Sequence, residues 1–237
     1  MSEFRDSLVG KISGTQLRCS GDSGLLVEFE QKIHIDVAQR VWSLLRWLDT
    51  NSLPGIVDAV PAYCTVFIHY CPAVITLPQL CRHVAAGVLR SDVYRVEPRR
   101  RMTIPVHYGG SYGPDLPEVA RVHGLTARQV VEYHAGADYC VFFTGFLPGF
   151  PFLGGMPEAI ATPRLPRPRL KVPAGAVGIA QTQTGIYPLQ SPGGWRIIGQ
   201  TPTRLFDLHR EEPFLLHAGD YVRFEILEIH DEVGGMP

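Results

Sequence analysis

Pro98-Arg99-Arg100-Arg101-Met102-Thr103-Ile104-Pro105-Val106-His107-Tyr108 is the stretch on which the architecture turns. A proline followed by three arginines interrupts any regular element: the ring removes a backbone donor, and clustered like charges stay solvated. The segment therefore reads as a boundary between two domains, 1–98 and 99–237. An apolar, β-rich run, 102–108, follows it directly.

Upstream, residues 24–29 form a short apolar run bounded by Gly21-Asp22-Ser23-Gly24 and read as a strand. Asp36 stands where an N-cap belongs, and Val37, Val41, Leu44, Leu45 and Leu48 recur at helical spacing behind it. Residues 55–60 and 65–70 are two further strands around a turn at Pro61-Ala62. A second helix starts at Thr76 with Pro78 in its first turn; Leu77, Leu80, Cys81, Val84 and Val88 line one face. The order is β-α-β-β-α. One more strand, from 102–108 or from the region around Val93, would complete a ferredoxin-like α+β unit.

Downstream, prolines and glycines come thickly between short apolar runs, the pattern of a β-barrel with long functional loops. A helical hairpin interrupts it. Asp115 leads a helix ending near Gly124, and Thr126-Ala127-Arg128-Gln129 is a capping box opening the next helix, which runs through His134. Late strands are expected at 176–180, 196–199 and 221–229. The fold class is thus α+β: a small ferredoxin-like domain, then a barrel.

Composition excludes several functions. A formal net charge of -1 gives no general electrostatic grip on nucleic acid or an anionic membrane. No apolar run is long enough to span a membrane, and the first residues carry no signal-peptide h-region. Five cysteines, irregularly spaced and without C-x-x-C, suggest neither a disulfide framework nor a zinc site. The reading is a soluble cytoplasmic protein. Walker A, G-x-G-x-x-G after a strand and H-E-x-x-H are all missing, so His107, His123 and His134 have no metal-site spacing and no metal is expected. Gly21-Asp22-Ser23-Gly24 looks like a serine-protease loop but has no base or orienting acid at hand, and reads as a turn.

The chemistry concentrates between Gly145 and Trp195. Gly145-Phe146-Leu147-Pro148-Gly149-Phe150-Pro151-Phe152-Leu153-Gly154-Gly155 alternates aromatics with turn-formers; it suits either a ligand loop or a plug over the barrel core. Arg164, Arg167, Arg169 and Lys171 ride on a proline-stiffened segment, where a guanidinium loses little entropy on forking onto an anion, although a solvated charged loop reads the same way. Gln183 and Tyr187 add polar groups able to orient a small substrate, and Trp195 ends the tight turn Ser191-Pro192-Gly193-Gly194. From the residues alone the reading is a small-molecule pocket with anion-binding capacity.

Taken together, Pro105-Val106-His107-Tyr108-Gly109-Gly110, Gly113-Pro114-Asp115-Leu116, the run from Gly145 to Pro151, Val172-Pro173-Ala174-Gly175, Gln183-Thr184-Gly185-Ile186-Tyr187-Pro188, Ser191-Pro192-Gly193-Gly194-Trp195 and Gly219-Asp220-Tyr221-Val222-Arg223-Phe224 resemble a known family. Its members are called 5-oxoprolinase B subunits, allophanate hydrolase subunit 1, or sporulation kinase inhibitors. The resemblance implies that the barrel is cyclophilin-like and pairs with a homologous barrel-domain partner, the C subunit of 5-oxoprolinase, to form a carboxyltransferase-like unit. A third component, the A subunit, completes the enzyme. It further implies ATP-dependent opening of 5-oxo-L-proline to L-glutamate, with ATP bound by the assembled complex and this chain inactive alone. Under that resemblance, Arg164, Arg169 and Lys171 hold the substrate carboxylate or the phosphoryl group, Gly149 belongs to the substrate-binding loop, and Phe146 and Trp195 in the binding site wall off water. Gln183 and Tyr187 orient the ring amide, and His134 or Asp115 moves protons. Branches of the family also imply two alternatives: an inhibitor of a sensor histidine kinase, or a component of a urea or allophanate pathway. Many relatives carry serine after the glycine of V-P-A-G; Ala176 stands here, so that position has no hydroxyl chemistry.

Overall fold

Seven strands of the second half close into a barrel in the order β10-β11-β8-β7-β14-β6-β13, with β13 returning to β10. These are β6 (Arg101–Gly109), β7 (Asp138–Thr144), β8 (Pro151–Gly154), β10 (Ala176–Ala180), β11 (Gln183–Ile186), β13 (Arg196–Gln200) and β14 (Tyr221–His230). The computed structural model describes residues 10–91 and 100–230. The chain divides into two compact units, 1–97 and 98–237.

In the first unit a five-stranded antiparallel sheet has the order β1-β2-β3-β5-β4: β1 (Lys11–Ile12), β2 (Thr15–Ser20), β3 (Gly24–Glu28), β4 (Ile56–Pro61) and β5 (Thr65–Tyr70). Helices α1 (Ile35–Thr50) and α2 (Leu77–Ser91) accompany it, their buried faces carrying Val41, Leu44, Leu48, Leu80, Val84 and Val88. Two expectations need correction. The N-cap of α1 is His34, whose Nδ1 accepts the Asp36 N–H at 3.3 Å; Asp36 sits inside the first turn, where its charge still favours the helix dipole. The strand expected from 102–108 is β6 of the barrel, and the alternative around Val93 lies outside the described residues. The position beside β3 is filled instead by β2, from before it in the chain, so the ferredoxin-like order is completed from the N-terminal side. Gly21-Asp22-Ser23 is the turn of the β2–β3 hairpin, with Gly21 at φ 66°.

In the second unit, Ile104, Val106, Tyr108, Tyr139, Val141, Leu153, Val177, Ile179, Ile198, Val222 and Phe224 fill the barrel core. Helices α3 (Leu116–His123) and α4 (Ala127–Ala135) add Leu116, Val119, Val130 and Val131 to it. The capping box at Thr126 and Gln129 forms with both bonds present, and Gly124 closes α3 in the left-handed conformation at φ 63°. The segment carrying Arg169 and Lys171 is strand β9 (Arg169–Val172), paired with β12 (Ser191–Gly193) in a separate two-stranded sheet. Among the described residues no helix is long and apolar enough to cross a membrane.

Asp115 does not cap α3 through its side chain; its carboxylate turns inward. Oδ2 accepts the Ile197 N–H of β13 at 2.6 Å, and the Asp115 N–H donates to the Ile197 carbonyl at 2.9 Å. This close seat exists because residue 113 is glycine: a Cβ there would lie 2.0 Å from the Ile198 carbonyl oxygen, backbone that cannot swing aside. Gly113→Ala is expected to destabilise the protein by about 2 kcal/mol or more. Urea unfolding would show it against Gly10→Ala, whose Cβ enters open space and should be neutral.

Candidate functional site

The loop from Gly145 to Phe150 folds on itself: Gly145 N–H donates to the Phe150 carbonyl at 3.1 Å, Leu147 N–H to the Gly145 carbonyl at 2.8 Å, and Phe150 N–H to the Leu147 carbonyl at 3.0 Å. Phe146 is held at φ 68° and is 66% exposed. A bulky residue in that region costs about 1 kcal/mol or more, and such strain collects at sites where a side chain must be presented. Gly149, at φ 78°, turns the chain back so that Phe150 enters the interior. Phe150 is the hub: its ring meets Phe146, Tyr187 and Trp195 edge-on at centroid distances of 5.6, 5.1 and 5.4 Å, and Phe152 at 5.0 Å.

Around this hub opens a cavity of about 310 Å³. Phe146, Phe150, Phe152 and Trp195 form aromatic walls, Pro168, Pro192, Gly193 and Gly194 supply backbone, and Tyr187 and Arg164 bring polarity. Arg164, exposed to solvent and part of the cavity lining, lies over the Trp195 ring, its guanidinium carbon 5.7 Å from the centroid. Burial pushes the Tyr187 phenol up, partly offset by the Trp195 backbone hydrogen bond and by Arg164 and Arg169, so it stays a neutral hydroxyl at physiological pH. Only glycine fits at 193: a Cβ would sit 2.3 Å from that hydroxyl.

Arg169 pairs with Gly193 across β9–β12, next to the cavity wall. Its Nη2 donates to Asp115 Oδ1 at 2.7 Å, while Nη1 is buried and makes no hydrogen bond. An orphaned guanidinium donor is costly unless a ligand or ordered water meets it. Asp115 thus fixes Arg169 to the β13 backbone. Each oxygen of its carboxylate has a partner, Arg169 on one and the Ile197 N–H on the other, and Asp115 does not line the cavity.

The structure also removes His134 from the site. It is wholly buried at the end of α4, with Nδ1 2.9 Å from the Tyr108 hydroxyl and Nε2 2.9 Å from Thr184 Oγ1, stacked on Phe224. Both ring nitrogens are engaged inside the barrel core, and His134 does not line the aromatic cavity. Burial lowers its pKa to about 3, so it is a neutral core hydrogen-bonding group. Lys171 is exposed on β9 and Gln183 half-buried at the start of β11; neither lines the cavity. Of the expected residues, Phe146, Arg164, Tyr187 and Trp195 therefore converge, Gly149 shapes their loop, and Arg169 stands beside them. The hub role of Phe150 has a sequence signal, the alternation of phenylalanines with glycine and proline, but nothing in that alternation says which ring points inward.

Residues 15–216 match the family model described as carboxyltransferase domain, subdomain C and D. The chain belongs to that family. Within this carboxyltransferase-domain family it is similar to the B subunit of 5-oxoprolinase from Escherichia coli O157:H7, 42% identical over 208 residues, covering 86% of this chain and 92% of the relative. It is also similar to the B subunit of 5-oxoprolinase from Bacillus subtilis (strain 168), 38% identical over 225 residues, with 88% and 91% covered. The crystal structure of TTHA0988 superposes with a TM-score of 0.77 at 40% identity, covering 86% of this chain and 39% of that longer one.

The burial of His134 has a measurable consequence. Its folded pKa lies below the unfolded value, so its stabilising contribution is complete above about pH 6.5 and is lost as the pH falls below it, levelling only near about 3. Between pH 7 and pH 5 the wild type should lose about 2 kcal/mol more stability than His134→Gln. Urea midpoints across that pH range, read as a difference in slope, would check it.

Proposed function

We propose that this chain is the B-type subunit of a 5-oxoprolinase, and that the aromatic cavity at Phe150 receives 5-oxo-L-proline in the assembled enzyme. The observation that carries the reading is the pairing of a small aromatic box with a cation in its lining, Arg164 over Trp195. At about 310 Å³ the cavity is at the small end of ligand sites, the right scale for a five-membered lactam. The likeness to two 5-oxoprolinase B subunits across most of their length supports the same substrate class.

Each residue then has a task. Phe146, Phe150 and Trp195 pack the flat ring and keep bulk water off it, so that a positioned water and not bulk solvent meets the activated amide carbon. Arg164 takes the substrate carboxylate. The neutral Tyr187 hydroxyl supplies a fixed dipole beside the ring amide, where negative charge develops as water attacks the carbonyl, and Arg169, held by Asp115 behind the cavity wall, adds a positive field there. The cavity does not suit a nucleoside triphosphate: its one glycine pair, Gly193-Gly194, leads into strand β13 and not into a helix N-terminus able to cradle phosphates. The pocket is therefore assigned to the amide alone, and ATP to a site elsewhere in the complex with the A and C subunits.

The test is ATP-dependent glutamate release from 5-oxoproline by this chain with its A and C partners, with the chain omitted, and with Arg164→Ala in its place. Release is expected only when the chain is present. Arg164→Ala should raise KM about 10- to 100-fold, the worth of one charge-assisted hydrogen-bonded pair. No glutamate from a demonstrably assembled complex overturns the oxoprolinase reading. An unchanged KM in Arg164→Ala removes this cavity from substrate binding.

A further inference from the structure

The pairing of β6 with β14 is parallel, and its register shifts once, between Ile226 and Glu228. Before the shift, Phe224 stands opposite Ile104 and Ile226 opposite Val106. After it, Glu228 stands opposite His107 and His230 opposite Gly109. Leu227 is the extra residue of a β-bulge. Because side chains alternate faces, one inserted residue moves everything beyond it to the other face of the sheet. Without Leu227, Glu228 and His230 would follow Val222 and Phe224 toward the core; with it, they join His107 on the outer face, and Ile229 takes the core side opposite Tyr108.

The result is a cluster that no local spacing in the sequence announces. His107 Nδ1, Glu228 Oε2 and His230 Nε2 lie within 4.8 Å of one another, with Glu228 Oε2 3.8 Å from His107 Nδ1 and 3.2 Å from His230 Nε2. Despite these ion-pair distances, both ring nitrogens are buried and neither makes an aligned hydrogen bond. Tyr112 stacks on the His107 imidazole and meets that of His230 at a tilt, both at centroid distances of 5.0 Å, which restricts their planes. Gly110 leaves room for the arrangement, since a Cβ there would come within 2.9 Å of the His230 Cβ.

We propose that His107, Glu228 and His230 form a site for one divalent transition-metal ion of the zinc class. Two imidazoles and a carboxylate are a common protein ligand set for zinc, and ligation needs donor separations of about 3 to 3.7 Å, which rotamer changes of about 1 Å supply from the present positions. Three protein ligands leave one position open. His230 also borders a cleft of about 430 Å³ with Leu116, Pro117 and Arg128, giving an exogenous ligand access on that side. The bound ion would tie the end of β14 to β6. The site is independent of the aromatic cavity and of the oxoprolinase reading.

The test uses the full chain without an affinity tag, titrated with Zn²⁺ by calorimetry and with Co²⁺ by visible absorption. The expected result is one equivalent bound, with cobalt d–d bands and no sulfur charge-transfer band. His230→Ala and Glu228→Gln should each weaken Zn²⁺ at least about tenfold. Zn²⁺ should raise the melting temperature of the wild type and not of the variants. Glu228 is exposed, so Glu228→Gln keeps the test decisive if the histidine variant folds poorly. No one-equivalent binding, binding unchanged in Glu228→Gln, or a cobalt–thiolate signature from the free cysteines would each overturn the proposal.

Discussion

Seven strands cannot alternate direction all the way round a closed ring; an odd number forces one neighbouring pair to run parallel. Here that pair is β6 and β14, and every other neighbour in the barrel is antiparallel. A parallel pair cannot be joined by a hairpin, so the whole of the barrel between residues 109 and 221 serves as its connection. Its start is locked electrostatically. Asp220, fully buried, accepts from Arg100 Nη2 at 2.9 Å and from the His217 N–H at 2.9 Å, and the Arg100 carbonyl accepts the Tyr221 N–H at 2.8 Å. The arginine that looked like part of a solvated boundary is thus the anchor that sets where the ring closes. Everything inside the barrel inherits its register from this closure.

A second buried carboxylate organises the functional face. Asp115 binds β13 backbone with one oxygen and Arg169 with the other, tying together α3, the barrel and the small β9–β12 sheet. Removing one partner of such a pair leaves an uncompensated charge, so the arrangement is held by the cost of breaking it more than by its net attraction. Beside it, the Phe150 cluster supplies rigidity by a different route: interlocked aromatic rings, with glycine at 149 and 193 where a side chain would collide or the backbone must turn. A small polar ligand meets a preformed cavity there, and little ordering entropy is lost on binding.

The α+β class, the helices from 35 to 50 and 77 to 91, the capping box at Thr126 and the late strands were all legible, because each rests on periodicity or on a cap within a few residues. So was the pooling of aromatic and cationic side chains between residues 145 and 195, which placed Phe146, Arg164, Tyr187 and Trp195 among the candidates. Their convergence was not legible, and neither were the burial of His134 or the inward turn of Asp115. A histidine near a helix end reads the same whether it faces solvent or a barrel, and the difference lies in Tyr108 and Thr184, which come from distant strands.

The sequence by itself determined the inventory: which segments are helical or extended, which side chains can carry charge or stack, and which family the chain resembles. Tertiary structure decided the pairing. Whether residues 102–108 complete the first sheet or close the second was settled by hydrogen bonds to a strand more than a hundred residues away. Whether Glu228 and His230 face the core or stand beside His107 was settled by one inserted residue in that same strand. The physical reason is common to both. Local patterns report what a segment can bury, whereas strand neighbour and register are set by long-range backbone pairing that no window of sequence contains.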